Sequence, residues 1–245
     1  MKNNSAVIII PARLNSSRFP KKILCPIDGK PLIVRVLEQA KDLDLCECYI
    51  ACCCEEVKKI VENYGGKAIV TNPDLASGTD RVFAALEKLD NKPKFVVNLQ
   101  GDTPVFSANI IPEILKVLEN NESIDMTTPV VFKKPTEEEK NENVVKVVFN
   151  NMEKKEPGKA IYFSRAAIPH NASAFFFHIG IYAYRYEALK KFVSLPSSYL
   201  EETERLEQLR AIQDGMEVWA VPVDGFALEV NVENDLKPVL KAISD

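Results

Sequence analysis

Val7-Ile8-Ile9-Ile10 is a continuous β-branched run that meets Pro11 without a break. A strand without polar alternation suits a position buried on both faces, as in a parallel sheet covered by helices. Proline donates nothing to a ladder, so the strand is expected to end at Pro11. The residues just past it include Arg13, Arg18, Lys21 and Lys22. In an open α/β sheet, the space beyond the carboxyl ends of the strands is where ligands bind. Four cations this close repel one another unless an anion lies among them. Charge alone leaves a solvated basic loop as good a reading. With a net charge of −4 on the whole chain, a nucleotide triphosphate is the natural anion to consider.

The next hundred residues repeat one pattern. Pro31 opens an amphipathic stretch with Ile33, Val36, Leu37 and Ala40 on one face. Cys48 to Cys52 reads as a strand, and Val57, Ile60, Val61 and Tyr64 mark a helix closed by Gly65-Gly66. Ala68 to Val70 is a third strand. Ser77-Gly78-Thr79-Asp80 leads a helix bearing Val82, Ala85, Leu86 and Leu89, and Phe95 to Leu99 is a fourth strand. Strand and helix alternating at this spacing predict right-handed βαβ units, hence a Rossmann-like α/β fold with a mainly parallel sheet.

After a helix at Ile110 to Glu119 the pattern changes. Lys133 to Asn143 is charged and aperiodic, which predicts a solvated loop. Asn143 to Phe149, Lys159 to Phe163 and Phe175 to Tyr184 then read as strands with shorter connections. They predict a smaller mixed-sheet lobe over about 143–213, with 1–132 and 214–245 forming the nucleotide-binding part of a single domain. Ser198 and Glu201 make a capping box before one long helix carrying Leu206, Leu209 and Ile212 inward. Val218 to Val221 returns to strand, and Leu236, Val239, Leu240 and Ile243 lie on a last helix.

Composition narrows the partners. A negative net charge argues against a general nucleic-acid or membrane-surface binder. No apolar run approaches the ~18 residues of a membrane span, and Met1 to Ser5 has no signal-peptide character, so a cytoplasmic protein is expected. Cys52, Cys53 and Cys54 are adjacent, and Cys46-Glu47-Cys48 is too tight for a zinc knuckle. These thiols read as small buried or half-buried residues.

Three places carry candidate chemistry. Gln100-Gly101-Asp102 closes the fourth strand on the ligand-binding edge, where a carboxylate suits Mg²⁺, although the tripeptide reads equally well as a turn. Ser77-Gly78-Thr79-Asp80-Arg81 is a helix N-cap, and the start of a helix also suits an anion. Arg165 and His178 are polar groups on apolar strands and need partners or a ligand.

Taken together, these segments resemble the cytidylyltransferases that activate 3-deoxy-manno-octulosonate (Kdo). Pro11-Ala12-Arg13 with Ser17-Arg18-Phe19-Pro20 and Lys22 is similar to their amino-terminal signature, P-A-R-x-x-S-[ST]-R-[LF]-P-G-K-P-L. Ser77 to Arg81 matches S-G-T-[DE]-R, and Gln100 to Pro104 matches Q-G-D-[EQ]-P apart from Thr103. In the second half, Asn143 to Val148, Tyr162 to Pro169, His178 to Arg185 and Leu206 to Arg210 match N-x-V-K-V-V, Y-F-S-R-x-x-I-P, H-[LIV]-G-[IV]-Y-x-Y-R and L-E-Q-L-R in order. The chain departs from the family at Lys21 for Gly and at Cys53 for an acid. It departs again at Glu229-Val230-Asn231, where the family has [GE]-V-D and the Asp binds metal.

The resemblance implies a nucleotide-diphospho-sugar transferase fold and a reaction of CTP with Kdo or a close analogue, giving a CMP-sugar and pyrophosphate for lipopolysaccharide synthesis. It implies Arg13, Lys22 and Asp102 as catalytic residues. Pro11, Ala12, Arg13, Lys22, Ser77, Gly78, Arg81 and Gln100 would bind the nucleotide. Arg165 and His178 would hold the sugar carboxylate, with Tyr182, Glu207 and Gln208 on the rest of the sugar. One Mg²⁺ on Asp102 and a second near Asp102 and Asn231 would assist, and a homodimer is expected. The departures at Thr103, Cys53 and Asn231 keep open a weakly active or non-catalytic CTP- or sugar-binding relative; an enzyme for another sugar acid is a second alternative, because one amine-for-hydroxyl exchange needs only one altered contact.

Overall fold

The computed structural model describes residues 5–14 and 19–244; Arg18 and Ser17 of the amino-terminal signature lie outside them. Contacts divide the chain into two compact units, Met1–Ala108 with Ala227–Asp245, and Asn109–Phe226. These limits differ from the expected lobe boundaries near 132 and 214, because the strand at Met126–Lys133 is paired within the second unit.

The first unit is built from β1 (Ala6–Ala12), α1 (Leu32–Asp42), β2 (Glu47–Cys52), α2 (Glu55–Asn63), β3 (Ala68–Val70), α3 (Gly78–Leu86) and β4 (Phe95–Asn98). Its strands run in the order β4-β1-β2-β3 and are all parallel. Ile8, Ile9 and Ile10 have no exposed surface, which is why the opening run needs no polar alternation. Pro11 does not end β1. It stays in register with Ala51 of β2, while pairing with β4 stops at Ile9 opposite Asn98. The Ile9 carbonyl accepts from Leu99, so Ile9 faces β4. Pro11, two residues on, turns its missing N–H to the same side, beyond the point where β4 still needs a partner. A second small core joins Ile27, Leu32, Val230 and Val239, tying the segment around Val230 and the helix Leu236–Ser244 to the first unit.

The second unit carries α4 (Ile110–Asn120), β5 (Met126–Lys133), β6 (Lys146–Phe149), β7 (Gly158–Ser164), β8 (Phe175–His178), β9 (Tyr182–Arg185), α5 (Tyr186–Ser194), α6 (Tyr199–Glu204), α7 (Gln208–Gln213) and β10 (Val218–Pro222). β5 pairs in parallel with β10, and β10–β7, β7–β6, β6–β8 and β8–β5 are antiparallel. Five strands therefore close on themselves, with β9 added along β5. The expected single strand from Phe175 to Tyr184 is two strands on one neighbour. They are separated at Ile179-Gly180-Ile181, where the Ile181 amide turns back to the Ile179 carbonyl at 2.7 Å. The expected long helix after Ser198 is likewise two. Arg205 sits at φ 55 as the C-cap of α6, and the Leu206 amide returns to the Glu201 carbonyl, a left-handed stop that usually employs Gly. The capping box of Ser198 and Glu201 is present as expected.

Candidate active site

In the first unit a cavity of about 880 Å³ opens past the carboxyl ends of β1 and β4, within the size range of small-molecule sites. Its described lining includes Pro11, Arg13, Lys21, Lys22, Gly78, Arg81, Gln100, Gly101, Asp102 and Asn231. The structure thus brings together the P-A-R, S-G-T-D-R and Q-G-D segments, although up to 90 residues separate them. Two of the expected nucleotide residues stand behind the wall. Ala12 is fully buried, and Ser77 is occupied as the cap of α3. Its Oγ accepts from the Asp80 amide at 3.1 Å, while Asp80 accepts from the Ser77 amide at 3.0 Å.

Four of the described lining residues are cations, against the single acid Asp102. Lys22 Nζ donates to Asp102 Oδ2 at 2.6 Å, with both side chains largely buried. Burial, with Arg13 nearby, holds the Arg81 guanidinium below its ordinary range. Arg81 is 1% exposed and donates to Thr71 Oγ1 at 2.6 Å and to the Asn72 and Pro73 carbonyls. It fixes the segment leading into α3 as well as facing the cavity. Lys21, where the signature it resembles has Gly, adopts φ 55. The loop thus keeps the left-handed turn that glycine takes without strain. Its amide donates to the Leu14 carbonyl at 3.1 Å.

Close packing sets the cavity floor. A Cβ on Gly101 would run into the Pro11 carbonyl and meet Ile33 Cδ1 at 3.3 Å, and one on Gly78 would meet Pro11 Cγ at 3.4 Å. Gln100 Nε2 donates to Asn98 Oδ1 at 3.2 Å, and Asn98 Nδ2 to Thr79 Oγ1 at 3.1 Å. The Gln100 amide is thereby oriented with its oxygen left as the acceptor. Thr103, the departure beside Asp102, is buried, and its hydroxyl has no hydrogen-bond partner among the described residues. Cys53 lies beside the Leu14 amide and Arg81; burial raises its thiol above the ordinary range.

Sequence reasoning missed Glu229. Val230 is buried and its amide donates to the Asp102 carbonyl at 2.8 Å. Glu229 and Asn231 flank it on either side. Asn231 Nδ2 donates to Glu229 Oε2 at 3.3 Å. Crowding by protein, with the charge of Asp102 close by, pushes the Glu229 carboxyl up, although part of its surface stays open to solvent. The alternation around Val230 was the available signal. As a donor set for Mg²⁺, carboxylate and amide oxygens on Asp102, Glu229 and Asn231 fit a hard cation. Among the described residues no three His, Cys, Asp or Glu side chains form a metal group on their own, so phosphate oxygens would have to complete the shell.

The other expected residues lie in the second unit. Tyr182 OH donates to Gln208 Oε1 at 3.1 Å, and the His178 ring lies 5.4 Å from Tyr182 and 5.2 Å from Phe163. Gln208 is buried, and its Nε2 has no partner among the described residues. Glu207 precedes α7 as its N-cap. His178 Nε2 lies 2.8 Å from Thr128 Oγ1, whose one proton goes to the Ile181 carbonyl at 2.8 Å. The ring must therefore donate from Nε2, which leaves Nδ1 as an acceptor when neutral. Desolvation pushes His178 down to about 3. A neutral imidazole of this tautomer accepts a hydroxyl proton at Nδ1. The Arg165 guanidinium donates to the main-chain carbonyls of Glu204 at 2.9 Å, Glu142 at 2.8 Å and Arg205 at 3.4 Å. Glu204, not anticipated from sequence, accepts from Ser164 Oγ, Tyr162 OH and the Arg165 amide.

Comparison with known proteins decides the family. The family model described as Cytidylyltransferase matches residues 7–218. The 3-deoxy-manno-octulosonate cytidylyltransferase of Rickettsia typhi is 41% identical over 98% of both chains. The chain belongs to this cytidylyltransferase family. A second relative of the same name, from Paramagnetospirillum magneticum, is 41% identical over 97% of both chains. The solved structure of a CMP:2-keto-3-deoxy-manno-octonic acid synthetase complexed with CTP is 33% identical, covers 98% of both chains and superposes with a TM-score of 0.89. A 4-diphosphocytidyl-2C-methyl-D-erythritol synthase from Anaerococcus prevotii shares the fold alone, at 13% identity and a TM-score of 0.63. The α/β fold expected from the βαβ pattern is therefore the cytidylyltransferase fold.

Proposed function

We propose that this cytidylyltransferase activates Kdo with CTP, releasing pyrophosphate. The observation that carries the reading is the cationic cavity beyond β1 and β4, closed by the Lys22–Asp102 pair, in a chain related over nearly its full length to Kdo cytidylyltransferases. The oxygen of the sugar's anomeric hydroxyl bonds to the α-phosphorus of CTP and loses its proton. The α–β phosphoanhydride bond breaks, and pyrophosphate leaves. Such chemistry asks the protein mainly for positioning and charge stabilisation.

Arg13 and Lys22 neutralise the triphosphate, and Lys22 exchanges Asp102 for phosphate as it does so. The amino terminus of α3 at Gly78 offers main-chain N–H groups to the same anion. The Gln100 carbonyl oxygen is placed to accept from an exocyclic amine such as that of cytosine. Asp102 and Asn231 would hold Mg²⁺, which when bound offsets phosphate charge and lowers the pKa of the attacking hydroxyl. In the second unit, His178 accepts from a sugar hydroxyl through Nδ1, Gln208 donates through Nε2, Tyr182 orients Gln208, and Glu207 adds an acceptor. Arg165 is the cation for the sugar carboxylate.

This reading carries with it a homodimer, a cytoplasmic location and use of the product in lipopolysaccharide synthesis. Among the described residues no helix is long and apolar enough to cross a membrane. Neither the cavity nor the relatives favour a non-catalytic binding role. The test is pyrophosphate release with CTP and Mg²⁺ across a panel of sugar acids. Release that depends on Kdo and is weaker with its 8-amino analogue and with sialic-type acids is the expected result. Release with none of them would refute the reading.

A further inference from the structure

We propose that Glu229 is a ligand-sphere carboxylate for the divalent cation that enters with CTP, carrying the negative charge that Asn231 does not. The inference rests on the reading of the cavity as a CTP site. Three observations support it. Val230 is sealed in the small core with Ile27, Leu32 and Val239, which anchors the residues on either side of it. The Val230 amide donates to the Asp102 carbonyl at 2.8 Å, which pins this segment directly against the Asp102 turn. Asn231 Nδ2 donates to Glu229 Oε2 at 3.3 Å, so amide and carboxylate act as one group beside Asp102.

The chemistry follows from charge. Asp102 is the single acid among the described residues lining the cavity, and it is released from Lys22 when Lys22 turns to the phosphates. An amide at position 231 supplies an oxygen but no charge. A divalent cation held by one carboxylate and one amide would depend largely on the phosphates. With Glu229 the protein contributes two carboxylates, within the one or two that accompany substrate phosphates at such sites. Glu229 can reach the ion directly or through water, and in either case its charge acts at short range.

Mn²⁺ serves as the probe. Its binding to the full-length protein in the presence of CTP is read by the loss of the free-ion electron paramagnetic resonance signal, without turnover. Glu229→Gln is expected to weaken Mn²⁺ at least tenfold with an unchanged unfolding midpoint, and adding Asn231→Asp to that variant is expected to restore most of the loss. Mn²⁺ affinity within twofold of the wild type in Glu229→Gln, or a loss that Asn231→Asp does not restore, would overturn the assignment. A second measurement uses the wild type alone. With Fe²⁺, ascorbate, hydrogen peroxide and CTP, oxidative cleavage is expected beside both Asp102 and Glu229; cleavage confined to Asp102 would overturn it even if a variant fails to fold. If the wild type binds no Mn²⁺ with CTP, the CTP-site reading fails as well, whereas normal wild-type binding with an indifferent Glu229→Gln removes Glu229 only.

Discussion

The His178 ring gives a pH dependence of stability that can be worked out in advance. In the unfolded chain the imidazole takes its proton near 6.5, and in the folded chain only near 3. Between those values the unfolded state binds more protons, so stability falls as pH falls. The contribution of the neutral ring is complete above about 6.5 and is lost progressively toward 3. From pH 7.5 to pH 5.0 the linkage amounts to about 1.4 kcal/mol for each unit below 6.5, or roughly 2 kcal/mol in all. Since pH 5.0 lies well above the folded value, the figure is set by the unfolded histidine. His178→Gln keeps an N–H donor for Thr128 and cannot titrate. Trp219, the only tryptophan, lies in β10 of the same unit, so urea unfolding followed by its fluorescence reports the right region. The wild type is expected to lose about 2 kcal/mol more than His178→Gln between pH 7.5 and 5.0. Parallel losses in the two proteins would show that the ring is protonated in the fold, and the acceptor role given to Nδ1 would fall with it.

Two further outcomes concern the cavity. Lys22→Ala removes a charge-assisted contact worth about 1.5–3 kcal/mol, so calorimetry should find CTP weakened at least tenfold and cytidine almost unchanged; equal weakening of both would take Lys22 off the phosphates. Gly101→Ala places a methyl against the Pro11 carbonyl and Ile33, and overpacking of this kind costs about 1–3 kcal/mol. A melting curve and a CTP titration that both match the wild type would show that the two loops are not in contact as described.

The parallel sheet of the first unit was legible because its pattern is local. Val7 to Ile10 and Phe95 to Leu99 are apolar without alternation, and caps and glycines mark the helices between them. Pro11 was misread because its tolerance depends on where a neighbouring strand stops, which no local pattern records. The break at Arg205 was invisible for a similar reason: a left-handed stop was made without Gly or Asn. Motif order located the cavity residues, but the Lys22–Asp102 pair joins positions 80 apart and exists only through the sheet. Glu229 was readable in principle from the alternation around Val230, once Asn231 was known to face Asp102. The tautomer of His178 depends on Thr128, on a strand 50 residues earlier, and no spacing rule connects them.

The strand order also governs when the chain can fold during synthesis. β10 lies between β5 and β7, so the closed ring of the second unit lacks a member until Val218–Pro222 has been made. The first unit waits longer still. Its small core needs Val230 and Val239, and the short ladder at Val105–Phe106 pairs with Ala227–Leu228. A chain stalled on the ribosome near residue 215 would hold most of both units and complete neither. Strands made early would then remain exposed until the final segment emerges, a state open to misassembly in a long, non-locally paired sheet.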